Sequence, residues 1–206
     1  PPKFWSLPEL HSLDFSTNKL GATFDEATLE LPNLHYMFLS NNSISKIPDG
    51  LNSRNSPSLI LFSVDGNNLN NLANFDDFQS LNGIWLARNN FTGLPLAIKS
   101  LVALRSLDVR NNSIPKLPCW LGGMEFLMDS NRGNVFAAGN PLCPQDDWVD
   151  ACSADQREAI RNGLDKHEAG CTPQCSIYCT LTELDNHGCD NPCNSEICSF
   201  DKGKCR

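Results

Sequence analysis

Apolar side chains recur along this chain in a repeated block, L-x-x-L-x-L-x-x-N-x-L, whose one polar member is an asparagine. The block first reads Leu10, Leu13, Phe15, Asn18, Leu20, then Leu34, Met37, Leu39, Asn42, Ile44. It returns as Leu59, Phe62, Val64, Asn67, Leu69, as Leu81, Ile84, Leu86, Asn89, Phe91, and as Leu104, Leu107, Val109, Asn112, Ile114. Successive asparagines stand 24, 25, 22 and 23 residues apart. Self-similarity at such a period marks a stack of like units, none of which can bury its apolar face alone.

These residues resemble the leucine-rich repeat, over residues 1–142 and about six coils, the first and last irregular. The resemblance implies an α/β solenoid with one short parallel strand per coil on its concave face. The two leucine-type residues of each x-L-x-L-x stretch point inward and their neighbours outward. The asparagine sits where the chain turns away from the strand, and its amide can bond backbone groups of adjacent turns. Asn67→Leu is therefore expected to cost more than its polarity suggests, by leaving buried backbone groups unsatisfied.

The return segments carry Ile47-Pro48, Leu94-Pro95 and Leu117-Pro118, followed by Leu51, Ile98 and Leu121 at matching inward positions. Proline fixes the bend there and lacks no needed donor. The third return uses Phe75 and Phe78 as filler instead. Short helical turns and irregular loops both fit these segments. A sixth unit starts at Met124 and Leu127, but Asp129 falls where a strand leucine belongs. Either Asp129–Asn134 loops out, or the last strand is Val135–Ala137; the second is preferred, because Asn140-Pro-Leu142 restores the template.

Both ends of such a stack need covers. At the amino end only Phe4, Trp5 and Leu7 are available, unless residues before Pro1 do this work in a longer parent. At the carboxyl end, residues 143–171 read as a cap with a helix over Ser153–Leu164. Ser153 is its N-cap, Gln156 the reciprocal partner, and Ile160 and Leu164 its buried stripe. Cys119, Cys143, Cys152 and Cys171 are placed to staple the cap, in a pairing that the residues leave open.

Six further cysteines run Cys175-x3-Cys179-x9-Cys189-x3-Cys193-x4-Cys198-x6-Cys205. With Asp190, Asn194, Asp201 and Gly203 they resemble a Lin12/Notch repeat, a small disulfide-rich module, over residues 172–206. The resemblance implies the pairs Cys175–Cys198, Cys179–Cys193 and Cys189–Cys205. It also places Asn186 and Asp201 at calcium-ligand positions. Lys204 stands where a second acidic ligand is expected, and an ammonium cannot ligate. Two readings stand: a calcium site in which Asp190 or Asp185 compensates, or a module held by disulfides and hydrogen bonds alone. No other cofactor is implied.

Composition narrows the function. The chain has 206 residues, 40% hydrophobic and 19% charged, which suits a packed fold. A net charge of −8 argues against nucleic acid, whose phosphates need clustered Lys and Arg. The charge divides unevenly, −2 over residues 1–142 and −6 over residues 143–206. No apolar run is long enough to span a bilayer. The first 118 residues contain no cysteine and seven of the ten lie in the last 36, a disulfide pattern of oxidising compartments. Sequons at Asn41, Asn90 and Asn111 agree with a secreted or cell-surface glycoprotein. The start at Pro1, with neither an initiator methionine nor a signal-like stretch, fits a processed protein or a fragment.

The outward strand positions form columns across the concave face. The middle column reads Asp14, Phe38, Ser63, Trp85, Asp108. One flank reads Ser12, Tyr36, Leu61, Gly83, Ser106, and the other Ser16, Ser40, Asp65, Ala87, Arg110, extended by Arg88. Core packing does not account for outward Tyr36, Phe38, Leu61 and Trp85, and aromatics beside charges are typical interface anchors. The candidate protein-binding set is therefore Tyr36, Phe38, Leu61, Asp65, Trp85, Arg88, Asp108 and Arg110. The leading expectation is an extracellular module that binds a protein or peptide. The alternatives are a structural subunit of an extracellular assembly and a glycan-binding module. No enzyme is expected: no nucleophile elbow, H-E-x-x-H or phosphate loop is present, and the four histidines fall in unrelated settings. Only His11 and His35, one coil apart, could approach each other.

Overall fold

The structure is a computed structural model, and it describes residues 6–21, 24, 29–73, 75–129, 133–142 and 152–163. Six three-residue strands make one sheet: β1 Ser12–Asp14, β2 Tyr36–Phe38, β3 Leu61–Ser63, β4 Gly83–Trp85, β5 Ser106–Asp108 and β6 Asn134–Phe136. They lie in chain order, and every neighbouring pair is parallel. Each coil thus contributes one strand and returns to start the next, which makes a parallel-strand solenoid of the leucine-rich repeat kind. Register is pinned by the buried middle residues. Leu13, Met37, Phe62, Ile84, Leu107 and Val135 face one another across the five pairings and all are buried. A slip of one residue would turn every one of them to solvent.

The asparagine ladder forms as its chemistry requires. Asn67 Nδ2 donates to the carbonyls of Val64 (2.9 Å) and, one coil back, Leu39 (3.1 Å). Its Oδ1 accepts from the backbone N–H groups of Ile44 (2.9 Å) and Asn42 (3.1 Å). Asn42, Asn89, Asn112 and Asn140 repeat the two-carbonyl pattern, each reaching a carbonyl in its own coil and one in the coil before. Asn18 bonds only within its own coil. The residue just before each of these asparagines is left-handed: Thr17, Asn41, Gly66, Arg88, Asn111 and Gly139 have φ between 52° and 73°. A left-handed residue lets the chain leave the strand abruptly, and Asn and Gly meet that demand with least strain.

The inward side chains merge into one apolar core that runs the length of the stack. Phe62, Phe75 and Phe78 interlock within it, with ring centroids 4.9 and 4.6 Å apart. Pro95 and Pro118 each precede a 3-10 helix, Leu96–Ser100 and Cys119–Gly123, whose Ile98 and Leu121 are buried. Two of the return segments are thus helical turns. Ile47 and Leu51 fill the second coil around a single turn, in which the Leu51 N–H donates to the Pro48 carbonyl at 2.9 Å.

The last strand is Asn134–Phe136, one residue earlier than the preferred Val135–Ala137. Val135 occupies the inward position, and Ala137 is buried just beyond the strand. Just before the strand, the Gly133 N–H donates to the Asp129 carbonyl at 2.7 Å. Asn140 then resumes the ladder, as the template requires.

The cap helix spans Ala154–Gly163, and Ser153 and Gln156 form the reciprocal cap, with the Gln156 N–H on Ser153 Oγ and the Ser153 N–H on Gln156 Oε1. It lies so close to the Cys119–Gly123 turn that a Cβ on Gly122 would stand 2.6 Å from the Gln156 carbonyl oxygen. Ile160 is fully buried, and a Cys119–Cys152 disulfide ties the helix to the fifth coil. Leu164, Cys143, Cys171 and the whole of residues 172–206 lie outside the described residues. So do Phe4 and Trp5, while Leu7 is 44% exposed.

Candidate interaction surface

Strand alternation turns the first and third residue of every strand outward, and the observed register stacks them as expected. Phe38, Ser63, Trp85, Asp108 and Phe136 align in the middle column. Tyr36, Leu61, Gly83, Ser106 and Asn134 align beside it. Phe38, Trp85 and Phe136 are half-buried, while Tyr36 is 39% exposed. None belongs to the apolar core. Phe136 was missed in the sequence because the irregular sixth unit obscured its register. With Val135 inward, alternation would have placed it outward.

Gly83 explains how a tryptophan lies flat on this face. A Cβ at position 83 would fall 2.7 Å from Trp85 Cη2, 2.9 Å from Cζ3 and 3.0 Å from Leu61 Cδ2. The indole therefore folds back along its own strand and covers the glycine, with the Leu61 methyl beside it. The tryptophan stays half-buried there.

The charged flank is internally paired. Asp108 is 2% exposed and receives a forked contact from Arg110, through Nε (3.0 Å to Oδ1) and a terminal guanidinium nitrogen (2.6 Å to Oδ2). The Arg110 N–H also bonds Oδ1, at 3.0 Å. Asp108, expected as an outward binding residue, is thus an internal support, its carboxylate covered by Arg110. That guanidinium lies 5.3 Å from the Phe136 ring centroid, a cation–π arrangement. Asp65 accepts the Ala87 N–H at 2.8 Å. Burial pushes its carboxyl above the usual range, Asp108 adds to that push, and the Ala87 bond, Arg88 and Arg110 oppose it. Arg88 is exposed at the rim.

Asn41, Asn90 and Asn111 are all exposed. Asn41 and Asn111 occupy left-handed positions three coils apart, and each lays its side-chain oxygen against the glycine of the next coil. A Cβ on Gly66 or Gly139 would come within 2.3 or 2.2 Å of that oxygen. His11 and His35 do meet, as a parallel stack 5.4 Å between centroids. Among the described residues no group of three or more His, Cys, Asp or Glu is gathered to hold a metal. The calcium candidates Asn186, Asp190 and Asp201 lie outside the described residues, as do the tail cysteines.

The leucine-rich repeat family profile matches residues 33–53 and 103–124. Transforming growth factor beta activator LRRC32 of Pongo abelii is 32% identical over 151 residues, 72% of this chain and 22% of that protein. Receptor-like protein 35 of Arabidopsis thaliana is 35% identical over 115 residues, 52% of this chain and 12% of that protein. The chain thus spans about a fifth or less of the length of these relatives. InlP of Listeria monocytogenes aligns over 68% of this chain and 39% of its own, with 19% identity and a TM-score of 0.46. The protein has the leucine-rich repeat fold. Among the described residues no helix is long and apolar enough to cross a membrane.

Proposed function

We propose that this chain is an extracellular interaction module that binds a protein or peptide on its concave face. The observation that carries the reading is the outward aromatic column of Phe38, Trp85 and Phe136 beside Tyr36 and Leu61, which the core does not need. Trp, Tyr and Arg in such clusters are the residue types on which binding energy concentrates. Arg110, held by Asp108 and lying over Phe136, adds an arginine to this cluster. The matched Transforming growth factor beta activator is named for acting on a protein, which supports a protein partner over a glycan.

The Cys119–Cys152 disulfide supports an oxidising compartment. Exposed sequons support glycans on Asn41, Asn90 and Asn111. For residues 172–206 the reading rests on the cysteine order alone: a Notch-like module, with Asn186, Asp190 and Asp201 as its calcium candidates. Calorimetric titration of calcium into chelator-treated protein tests the ion, and absence of heat leaves a module held by its disulfides.

The test of the main reading is photo-cross-linking on the intact chain in its own extracellular milieu. A benzophenone side chain at position 38 should capture a partner that the same group at position 102, away from the concave strands, does not. Equal capture at both positions rejects the concave face. A second reading, packing against a neighbouring subunit, is favoured by the exposed Leu96, Val102 and Phe126. Light scattering decides it, since a stable monomer at high concentration excludes that assembly.

A further inference from the structure

We propose that His11 and His35 form a two-imidazole site for a divalent transition-metal ion of the zinc, copper and nickel class, at the first-coil edge of the concave face. The two residues precede β1 and β2, and the parallel ladder holds them side by side. The His35 N–H donates to the His11 carbonyl at 2.8 Å, so their side chains leave adjacent strands in the same direction. The rings stack with an interplanar angle of 4° and centroids 5.4 Å apart.

One of the two rings is already set with an open nitrogen. His11 Nδ1 lies 2.8 Å from the Glu9 carbonyl oxygen, which can only accept, so Nδ1 carries the proton and Nε2 keeps its lone pair. A carbonyl on the far nitrogen is the usual outer-shell support of a metal-binding histidine. A tetrahedral ion with bonds of about 2.0–2.1 Å sets its two nitrogens about 3.4 Å apart. Rings with centroids 5.4 Å apart reach that by converging at one edge. Rotation of the His35 ring about its broad terminal torsion supplies the movement, while the Glu9 carbonyl holds the ring of His11. With two protein ligands, the remaining positions belong to water or to a donor on the partner. Tyr36, whose ring lies 6.1 Å from that of His35, places those open positions beside the aromatic surface.

The experiment uses the full chain after chelator treatment, with Ni2+ as a paramagnetic probe and Zn2+ for calorimetry. Sub-stoichiometric Ni2+ should broaden the ring signals of His11 and His35 before those of His167 and His187. Zn2+ should titrate to one site, and Mg2+ should give no heat. His11→Gln and His35→Gln should each weaken the Zn2+ site at least tenfold without changing the melting profile. Uniform broadening of all four histidines, or an undiminished Zn2+ site in either variant, overturns the proposal.

Discussion

Trp85 lies over Gly83, two residues back on the same strand, in space that any Cβ would occupy. The glycine is thus what allows a large aromatic ring to lie flat at the centre of the concave face. Gly83→Ala should lift the indole off the strand, shift tryptophan emission and loosen the partner. It should leave the ladder and core intact, because position 83 faces away from them. An unchanged emission spectrum would show that the ring does not rest on the glycine.

Asn67 binds buried backbone groups on both sides of its turn. Asn67→Leu should destabilise the protein by roughly 3 kcal/mol or more in urea unfolding, since several desolvated groups lose their partners together. Asn18→Leu, at an exposed position that bonds only within its own coil, should cost well under half as much.

Asp65 gives a pH signature. Its carboxyl titrates above its ordinary range in the folded protein, burial being the main cause. A raised folded value means that the group favours folding when protonated. That contribution is fully present below the unfolded carboxylate range and is lost as pH rises through the raised value. Asp65→Asn keeps an acceptor for the Ala87 N–H and removes the charge. The variant should therefore be more stable than the parent at neutral pH, with the advantage vanishing as acid protonates the parent. A constant difference across pH would contradict this.

Thr17 holds φ at 58° although it is β-branched, the least suitable kind of side chain for a left-handed turn. Thr17→Asn or Thr17→Gly should stabilise by about 0.5–1 kcal/mol in thermal or chemical unfolding. Asn41 and Asn111, already suited to the turn, should gain nothing from the glycine change.

The Cys119–Cys152 bridge closes a 33-residue separation between coil and cap helix. Replacing both cysteines with serine should cost roughly 3–4 kcal/mol by the loop-entropy estimate. The loss should appear first as faster proteolysis of the cap helix, while the central coils hold.

The strands, ladder and outward columns were legible because one five-position template recurs and each strand has a buried middle residue. The register of Tyr36, Phe38 and Trp85 follows from that alone. The sixth unit resisted because its extra residues precede the strand, so Asp129 displaced the apparent template and hid Phe136. Asp108 was misjudged for another reason. Alternation shows which way a side chain leaves the strand, but not that Arg110, two residues on, will fold over its carboxylate. The covering of Gly83 by Trp85 was equally hidden, since a glycine in a strand says only that something approaches closely.

The most direct test compares affinity for the captured partner in two matched double variants, Phe38→Ala/Trp85→Ala on the concave strands and Val102→Ala/Phe126→Ala away from them. With each concave anchor worth 2 kcal/mol or more, the first should weaken binding by about a hundredfold or beyond while melting as the parent does. The second should bind as the parent. Unchanged affinity in the first variant, or a loss confined to the second, would contradict the concave-face account.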